Sequence, residues 1–223
     1  MKTNAVIVSA GSGVRMGNSL PKQFITVLDK PLLAYTLGAF AAAFETIQFI
    51  VVTHPDYFNI TEEICAVYPG TIIVAGGASR FASVKAGLAH AEADSIVFIH
   101  DAVRCLVTKE LIIRCYITAL AKGNAVPAIP ARDSIRRIDS YGNHWVDRNT
   151  IRLVQTPQTF AALVIKNAYA SAAGEDFSDD AMVVEQSGVP INLIEGEITN
   201  IKVTWPSDLL LAETILQNTK LSG

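Results

Sequence analysis

Short apolar segments alternate with longer amphipathic segments along the chain. Patterns typical of buried strands occupy residues 5–9, 47–53, 71–74, 95–99, 125–128, 151–154, 190–194 and 200–204. Helical patterns lie between most of them, at 31–43, 57–67, 79–91, 109–122, 161–173, 179–187 and 207–218. This alternation predicts an α/β fold with a mainly parallel sheet and helices on both faces. In such sheets, ligands bind beyond the carboxyl ends of the strands.

One segment, residues 132–148 (RDSIRRIDSYGNHWVDR), interrupts the alternation because it is polar and too irregular for a helix between strands. Residues 139–143 (DSYGN) are a turn signal between two short alternating stretches, so we predict a projecting β-hairpin. An isolated hairpin is marginally stable in water, and we expect this one to pack on a partner, most simply a second copy of the chain.

Composition favours an ordinary globular enzyme-sized domain. With 223 residues, 50% of them hydrophobic, the chain has enough apolar surface for one domain over residues 1–223. A net charge of -3 without any basic run argues against nucleic-acid binding. No apolar stretch reaches the ~20 residues that span a bilayer, and the N-terminus does not resemble a signal peptide. Three cysteines without CxxC spacing, Cys65, Cys105 and Cys115, indicate reduced thiols in a cytoplasmic protein.

The first predicted strand ends in a glycine-containing turn, residues 10–17 (AGSGVRMG), with Arg15 inside it and Lys22 shortly after. Glycines let backbone N–H groups approach a ligand, and neighbouring N–H groups form a concavity that binds anions. The turn lacks the Lys-Ser/Thr pair of the P-loop, and Met16 stands where the dinucleotide fingerprint needs its third glycine. We predict a polyphosphate site here, the alternative being an ordinary tight turn.

A second glycine turn, residues 76–77, leads into a predicted helix. Arg80 and Ser83 are three residues apart, so they share one face near the start of that helix. The plainer interpretation is a helix capped by Ser79, and the two interpretations are compatible.

A third candidate is Asp101, which follows an apolar strand. A carboxylate in this position suits Mg²⁺ or a ribose hydroxyl, while the structural alternative is pairing with Arg104 or capping the next helix. His100 is expected to be a structural hydrogen-bonding residue. Residues 178–180 (SDD) indicate helix initiation with Ser178 as the cap, and Lys202 lies inside a strand-like run, where an edge position and a functional position are about equally favoured.

Together these motifs resemble the 2-C-methyl-D-erythritol 4-phosphate cytidylyltransferase family. They cover nearly the whole chain in order: residues 10–17, 21–23 (PKQ), 76–84 (GGASRFASV), 100–104 (HDAVR), 155–158 (QTPQ) and 200–204 (NIKVT). The resemblance implies a Rossmann-like, nucleotide-diphospho-sugar transferase-like fold with the hairpin as dimerisation arm. It also implies a homodimeric, Mg²⁺-dependent enzyme of the non-mevalonate isoprenoid route. Such an enzyme joins CTP and 2-C-methyl-D-erythritol 4-phosphate, giving 4-diphosphocytidyl-2-C-methyl-D-erythritol and pyrophosphate.

The resemblance also implies roles for individual residues. Arg15 and Lys22 would stabilise the transition state at the α-phosphate, and Asp101 would lie near the ribose and the metal. The implied catalytic residues are Arg15, Lys22, Arg148 and Lys202. The implied nucleotide-binding residues are Ala10, Gly11, Ser12, Gly13, Gly77, Arg80, Ser83, Asp101 and Ala102, and the implied acceptor-binding residues are Ser134, Arg148, Thr156, Ser178 and Lys202.

Three positions depart from the family pattern: Ser9 and Val103 stand for the usual alanine, and Cys105 for the usual proline. Residues 100–104 are also similar to those of the ribitol-5-phosphate cytidylyltransferases, whereas residues 133–137 (DSIRR) resemble the methylerythritol enzymes. Transfer to ribitol 5-phosphate is therefore the alternative activity. A non-catalytic nucleotide-binding module is a more distant one.

Overall fold

The structure is a computed structural model that describes residues 1–11 and 20–221, with side chains described as far as residue 218. Its strands are β1 Lys2–Ser9, β2 Thr26–Val27, β3 Lys30–Pro31, β4 Gln48–Thr53, β5 Ile72–Ala75, β6 Ser95–Asp101, β7 Asn124–Pro130, β8 Ile135–Asp139, β9 Gly142–Val146, β10 Arg152–Val154, β11 Gln158–Ala161 and β12 Leu193–Glu195. Its α-helices are α1 Leu32–Ala43, α2 Phe58–Cys65, α3 Arg80–His90, α4 Lys109–Lys122, α5 Ala162–Ser171, α6 Asp180–Gln186 and α7 Pro206–Leu221.

The main sheet has eight strands in the order β10-β7-β11-β6-β1-β4-β5, with β12 also paired to β7. β1 runs parallel to β4 and β6, β4 runs parallel to β5, and β12 runs parallel to β7. β11 is antiparallel to both β6 and β7, and β10 is antiparallel to β7. The predicted α/β fold with a mainly parallel sheet is confirmed, and the antiparallel strands of the main sheet are β10 and β11.

Helices cover both faces of the sheet because the central strands are apolar on both sides. On one face, Ala5 and Ile7 of β1 pack in a core with Phe40 of α1 and Leu111 of α4. On the other face, Val6 packs in a second core that includes residues of α3, α5 and α6. β1 is thereby buried from both directions, and its carboxyl end opens at one edge of the molecule.

The segment 200–204 forms no ladder, so the predicted strand there is wrong. The Val203 N–H donates to the carbonyl oxygen of Val103 at 3.0 Å, and Asn200 Nδ2 donates to the carbonyl oxygen of Thr156 at 2.9 Å. Asn200 and Val203 are buried while Lys202 is exposed, and this unequal burial explains the strand-like pattern. The segment and α7 cover a third, smaller apolar cluster that includes Val103 and Cys105.

The predicted hairpin is present as β8 and β9, which pair antiparallel in a sheet of their own. Gly142 has a φ of +117°, a conformation that favours glycine, and it starts β9 directly after the turn. The hairpin presents three large exposed side chains: Ile138 (81% exposed), Tyr141 (90%) and Trp145 (70%). We call residues 132–148 the arm.

Among the described residues, no helix is long and apolar enough to cross a membrane. Cys65, Cys105 and Cys115 are buried and free of disulfides, as predicted. Burial raises the pKa of the Cys105 thiol to about 12, which keeps it protonated and unreactive at neutral pH.

Candidate functional site

A cleft of about 560 Å³ opens beyond the carboxyl ends of β1 and β6. Segments distant in sequence form its walls: the end of β1, residues 22–23, the turn before α3 with the first turn of that helix, the end of β6 with the residues after it, and the segment that carries Lys202. The lining residues are Val8, Ser9, Ala10, Gly11, Lys22, Gln23, Gly77, Ala78, Ser79, Arg80, Ser83, Asp101, Val103 and Lys202. The position agrees with the expectation that ligands bind beyond the strand ends.

Most of the implied nucleotide-binding residues line this cleft: Ala10, Gly11, Gly77, Arg80, Ser83 and Asp101. Ala102 lies behind the wall, since it is fully buried and its N–H donates to the carbonyl oxygen of Val8 at 3.1 Å. Ser12, Gly13 and Arg15 lie outside the described residues. The resemblance therefore named many of the residues that line the cleft.

Two loops meet closely on one side of the cleft. A Cβ atom added to Gly76 would overlap the Cβ of Ala10, so this approach requires glycine. The Gly77 N–H donates to Ser83 Oγ at 3.1 Å, and Ser83 Oγ–H donates to the carbonyl oxygen of Ser79 at 2.9 Å. Ser79 also caps α3, as predicted, by accepting from the Ala82 N–H at 2.9 Å.

Gln23 holds the end of β1 from the opposite side. Its side-chain Nε2 donates to the carbonyl oxygens of Ser9 at 2.6 Å and Gly11 at 3.1 Å. Gln23 is itself buried, so these two bonds fix the backbone where the glycine turn leaves the strand. The segment 21–23 thus serves the cleft through Gln23 as well as through Lys22.

Asp101 lies at the bottom of the cleft, surrounded by three cations. Its Oδ2 is 2.8 Å from Lys202 Nζ and 3.8 Å from Arg104 Nε, and its Oδ1 is 3.6 Å from Arg80 Nε. Burial by itself raises the pKa of Asp101, but Lys202 and the two arginines outweigh burial and hold the pKa far below the ordinary value of 3.8. Asp101 is therefore an anion at every physiological pH, and its contact with Arg104 confirms the structural pairing as well.

Beneath Asp101, a chain of hydrogen bonds fixes the end of β6. The Asp101 N–H donates to Thr156 Oγ1 at 3.1 Å, so the Thr156 hydroxyl proton points to His100 Nδ1 at 3.0 Å. His100 Nε2–H then donates to the carbonyl oxygen of Arg104 at 3.2 Å. Burial lowers the pKa of His100 to about 3, so the ring is neutral and structural, as predicted.

The implied catalytic lysines lie on one wall of the cleft. Lys22 Nζ donates to the carbonyl oxygen of Val203 at 2.8 Å, while the preceding residue, Lys202, contacts Asp101. The segment 201–203 therefore supplies Lys202 and accepts a hydrogen bond from Lys22. A lone lysine in a strand-like run, such as Lys202, gives no sign that its segment will contact another lysine. The 181 residues that separate Lys22 from Val203 hide their hydrogen bond further.

The implied acceptor-binding residues do not all meet in this chain. Lys202 lines the cleft, and the buried Thr156 lies just behind it with its hydroxyl engaged. Ser134 and Arg148 are exposed at the base of the arm, where Arg148 Nη1 donates to the carbonyl oxygen of Arg132 at 2.7 Å. Ser178 is exposed before α6 and does not cap that helix: Asp179 does, by accepting from the Met182 N–H at 2.9 Å.

Two residues beside the site, Asp180 and Tyr169, were not predicted from the sequence to contribute to it. Asp180 is fully buried and forms a two-pronged ion pair with Arg80, with N–O distances of 3.0 and 2.7 Å. Tyr169 donates its hydroxyl to Asp180 Oδ1 at 2.6 Å. An acidic residue in the first turn of a helix is ordinary, so the sequence carries no signal for this role.

Comparison with known proteins identifies the relatives of this chain. The family model for 2-C-methyl-D-erythritol 4-phosphate cytidylyltransferase matches residues 3–218. The chain belongs to this family. The family's enzyme of Bacteroides fragilis is 42% identical over 219 residues, which cover 97% of this chain and 100% of the relative. The crystal structure of the Thermus thermophilus enzyme is 33% identical with a TM-score of 0.78, covering 95% of this chain and 98% of that one.

Family membership makes the chain a nucleotidyltransferase and confirms the resemblance seen in its motifs. The crystal structure of 4-diphosphocytidyl-2C-methyl-D-erythritol synthase from Anaerococcus prevotii is 27% identical with a TM-score of 0.84, over 97% of this chain and 96% of that one, in agreement with the fold. The methylerythritol activity is the one that these relatives carry in their names. Neither the ribitol alternative nor the non-catalytic alternative is favoured.

Proposed function

We propose that this chain transfers CMP from CTP to 2-C-methyl-D-erythritol 4-phosphate, with the triphosphate in the cleft beside Lys22 and Lys202. The observation that carries the proposal is the cluster at the end of β6, where the buried carboxylate of Asp101 lies 2.8 Å from the exposed ammonium of Lys202 in a cleft large enough for a nucleotide. The cations in the cleft wall suit a polyanion. Asp101 suits the hydroxyls of a ribose.

The chemistry requires positioning more than proton transfer. An oxygen of the acceptor phosphate attacks the α-phosphorus of CTP, a new phosphorus–oxygen bond forms, and the bond to pyrophosphate breaks. The attacking oxygen is already anionic near neutral pH, so no general base is needed. His100, neutral and occupied on both ring nitrogens, does not supply one. The residues must hold two repelling anions together and neutralise charge at the α-phosphate.

In this proposal, Lys22 and Lys202 stabilise that charge, and Arg15, outside the described residues, assists them. Both lysines depend on the segment 201–203 for their position. Fixed cations of this kind lower the barrier because they need no reorganisation during the reaction. Losing one such donor typically costs about 10²–10³ in rate.

The donor set of the cleft fits a Mg²⁺ ion that is held mainly by the substrate. Within the described part of the chain, no group of three or more His, Cys, Asp or Glu side chains could hold a metal. Mg²⁺ commonly takes one or two carboxylates together with substrate phosphates, and Asp101 is the carboxylate in the cleft wall. When bound, the ion would neutralise phosphate charge, and Asp101 would be its protein ligand.

We further propose that the enzyme is a cytoplasmic homodimer joined through the arm. A two-stranded hairpin with exposed Ile138, Tyr141 and Trp145 is marginally stable alone, and aromatic residues are enriched at interfaces. Ser134 and Arg148 lie on this arm, so a dimer would carry them toward the partner's cleft to bind the acceptor phosphate. The free, buried cysteines agree with a cytoplasmic location.

A pyrophosphate-release assay tests the function. The purified protein is supplied with CTP, Mg²⁺ and either 2-C-methyl-D-erythritol 4-phosphate or ribitol 5-phosphate. We expect release with the first acceptor and not with the second. Release with ribitol 5-phosphate alone would establish the alternative activity, and no release with either acceptor, despite measurable CTP binding, would favour a binding module.

A further inference from the structure

Arg80 reaches the cleft from a fixed position inside the protein. Its Nη1 and Nη2 donate to Asp180 Oδ1 and Oδ2 at 3.0 and 2.7 Å, so both ends of the guanidinium are occupied. The group left facing the cleft is Nε, 3.6 Å from Asp101 Oδ1. Arg80 is 26% exposed and Asp180 is fully buried, so the pair leads from the interior to the cleft wall.

Asp180 is held in turn by side chains that are not among those lining the cleft. Tyr169 Oη–H donates to its Oδ1 at 2.6 Å, and the Tyr169 ring stacks on Phe81 with centroids 4.5 Å apart. The start of α6 is tied to β11 by Gln158, which accepts from the Ala181 N–H at 2.7 Å. Asp180 therefore has a fixed place, and Arg80 must adapt to it.

Because the Arg80–Asp180 pair lies next to Asp101, it affects how Asp101 can contact a ligand. Asp101 and Asp180 compete for one guanidinium, and an arginine binds a carboxylate best through two parallel N–H groups. Without Asp180, Arg80 could turn those two groups onto Asp101, whose Oδ1 is already 3.6 Å from Nε. Arg80 would then occupy Asp101 Oδ1, the carboxylate oxygen that does not contact Lys202. The proposed function needs this oxygen free to bind the nucleotide.

We infer that Asp180, fixed by Tyr169, is a positioning residue for CTP binding, because it keeps the forked end of Arg80 away from Asp101. The inference rests on the proposed function, which places CTP in this cleft. A buried ion pair is weak support for stability by itself, since apolar replacements are often as stable. The free energy needed to bury the charges of Arg80 and Asp180 is explained if the pair sets the geometry of the cleft.

A double-mutant cycle tests the inference. The variants are Asp180→Asn, Arg80→Met and the double variant, and the Kd of CTP with Mg²⁺ is measured by calorimetry. We expect Asp180→Asn to weaken CTP binding about tenfold or more in the native background and less than about threefold in the Arg80→Met background. The KM for the acceptor is expected to stay unchanged. The Asp180→Glu variant, which keeps the charge, should recover much of the CTP affinity.

Two further variants separate positioning from folding. Tyr169→Phe removes one hydrogen bond, so it should fold and weaken CTP binding about two- to fivefold in the same direction. Glu175→Gln is the matched control. Glu175 is exposed and accepts a hydrogen bond at 2.7 Å from Oγ of Ser79, the residue that precedes Arg80. We expect no change in Kd for this variant.

The inference is overturned if Asp180→Asn costs as much CTP affinity without Arg80 as with it. It is also overturned if Tyr169→Phe, or a folded Asp180→Asn, lowers the Tm while the Kd of CTP stays native. These results are distinct from a failure of the proposed function, in which the native protein binds CTP but releases no pyrophosphate with the acceptor. A native protein that does not bind CTP contradicts both.

Discussion

Replacing Lys202 by methionine removes the cation that most strongly stabilises the charged form of Asp101. The contact of 2.8 Å between Lys202 Nζ and Asp101 Oδ2 would be worth about 6 kcal/mol as a point-charge interaction at an effective dielectric constant of ~20. Lys202 is 42% exposed, so solvent screens much of that energy, and Arg80 and Arg104 remain near Asp101. We expect Lys202→Met to lower the free energy of unfolding by about 1–2 kcal/mol.

The loss of activity should exceed the loss of stability. Lys202 contributes a fixed cation in the cleft, and removal of one such group typically lowers kcat by about 10²–10³. We therefore expect Lys202→Met to be folded at the assay temperature and to release pyrophosphate from CTP at least a hundredfold more slowly, within that range. The matched control is Lys109→Met, which removes the same charge from an exposed position at the start of α4.

The pH dependence gives a second, independent measurement. Because the pKa of Asp101 is lower in the folded chain than its ordinary value of 3.8, its contribution to stability is complete above that value and is lost as the pH falls below it. The difference in unfolding free energy between native protein and Lys202→Met should be present at pH 7 and shrink below about pH 4. Native turnover by Lys202→Met, or a stability difference independent of pH, would refute the reasoning.

Three other variants test separate parts of the structure. Gly76→Ala should weaken CTP binding about tenfold or more in calorimetry, because its Cβ would displace the Ala10 loop, and a native Kd would contradict the requirement for glycine. Thr156→Val should lower the free energy of unfolding by about 1–3 kcal/mol in urea denaturation, since it leaves the Asp101 N–H and His100 Nδ1 without their shared partner; an unchanged midpoint would count against that hydrogen-bond chain. Trp145→Asp should shift the protein from dimer to monomer in light scattering, and a monomeric native protein would dispose of the proposed arm interface.

The fold was largely predictable because its signals are local. The helices begin and end within two or three residues of the predicted bounds, since apolar periodicity and caps such as Ser79 lie close together in sequence. β11 was missed because four residues between Pro157 and a helix are too few for a pattern. The segment 200–204 was misassigned because alternate burial does not require a ladder partner.

The site was predictable where a single segment carries the signal. The turn after β1, the turn before α3 and Asp101 follow strands or precede helices, which places them at one edge of the sheet. The link between Arg80 and Asp180 spans 100 residues, and neither residue is unusual in its own segment. The cap of α6 is Asp179, where we predicted Ser178. The sequence does not distinguish the two, because several of the consecutive polar residues 178–180 are suitable caps.

The contact between Lys22 and Val203 joins positions 181 residues apart. Because both lysines of the cleft contact or belong to the segment 201–203, the proposed function implies that a growing polypeptide on the ribosome has no working cleft until residues 201–203 have been made. Nascent chains that stop short of that segment would be inert, and synthesis itself would delay the first turnover until the segment has joined the fold.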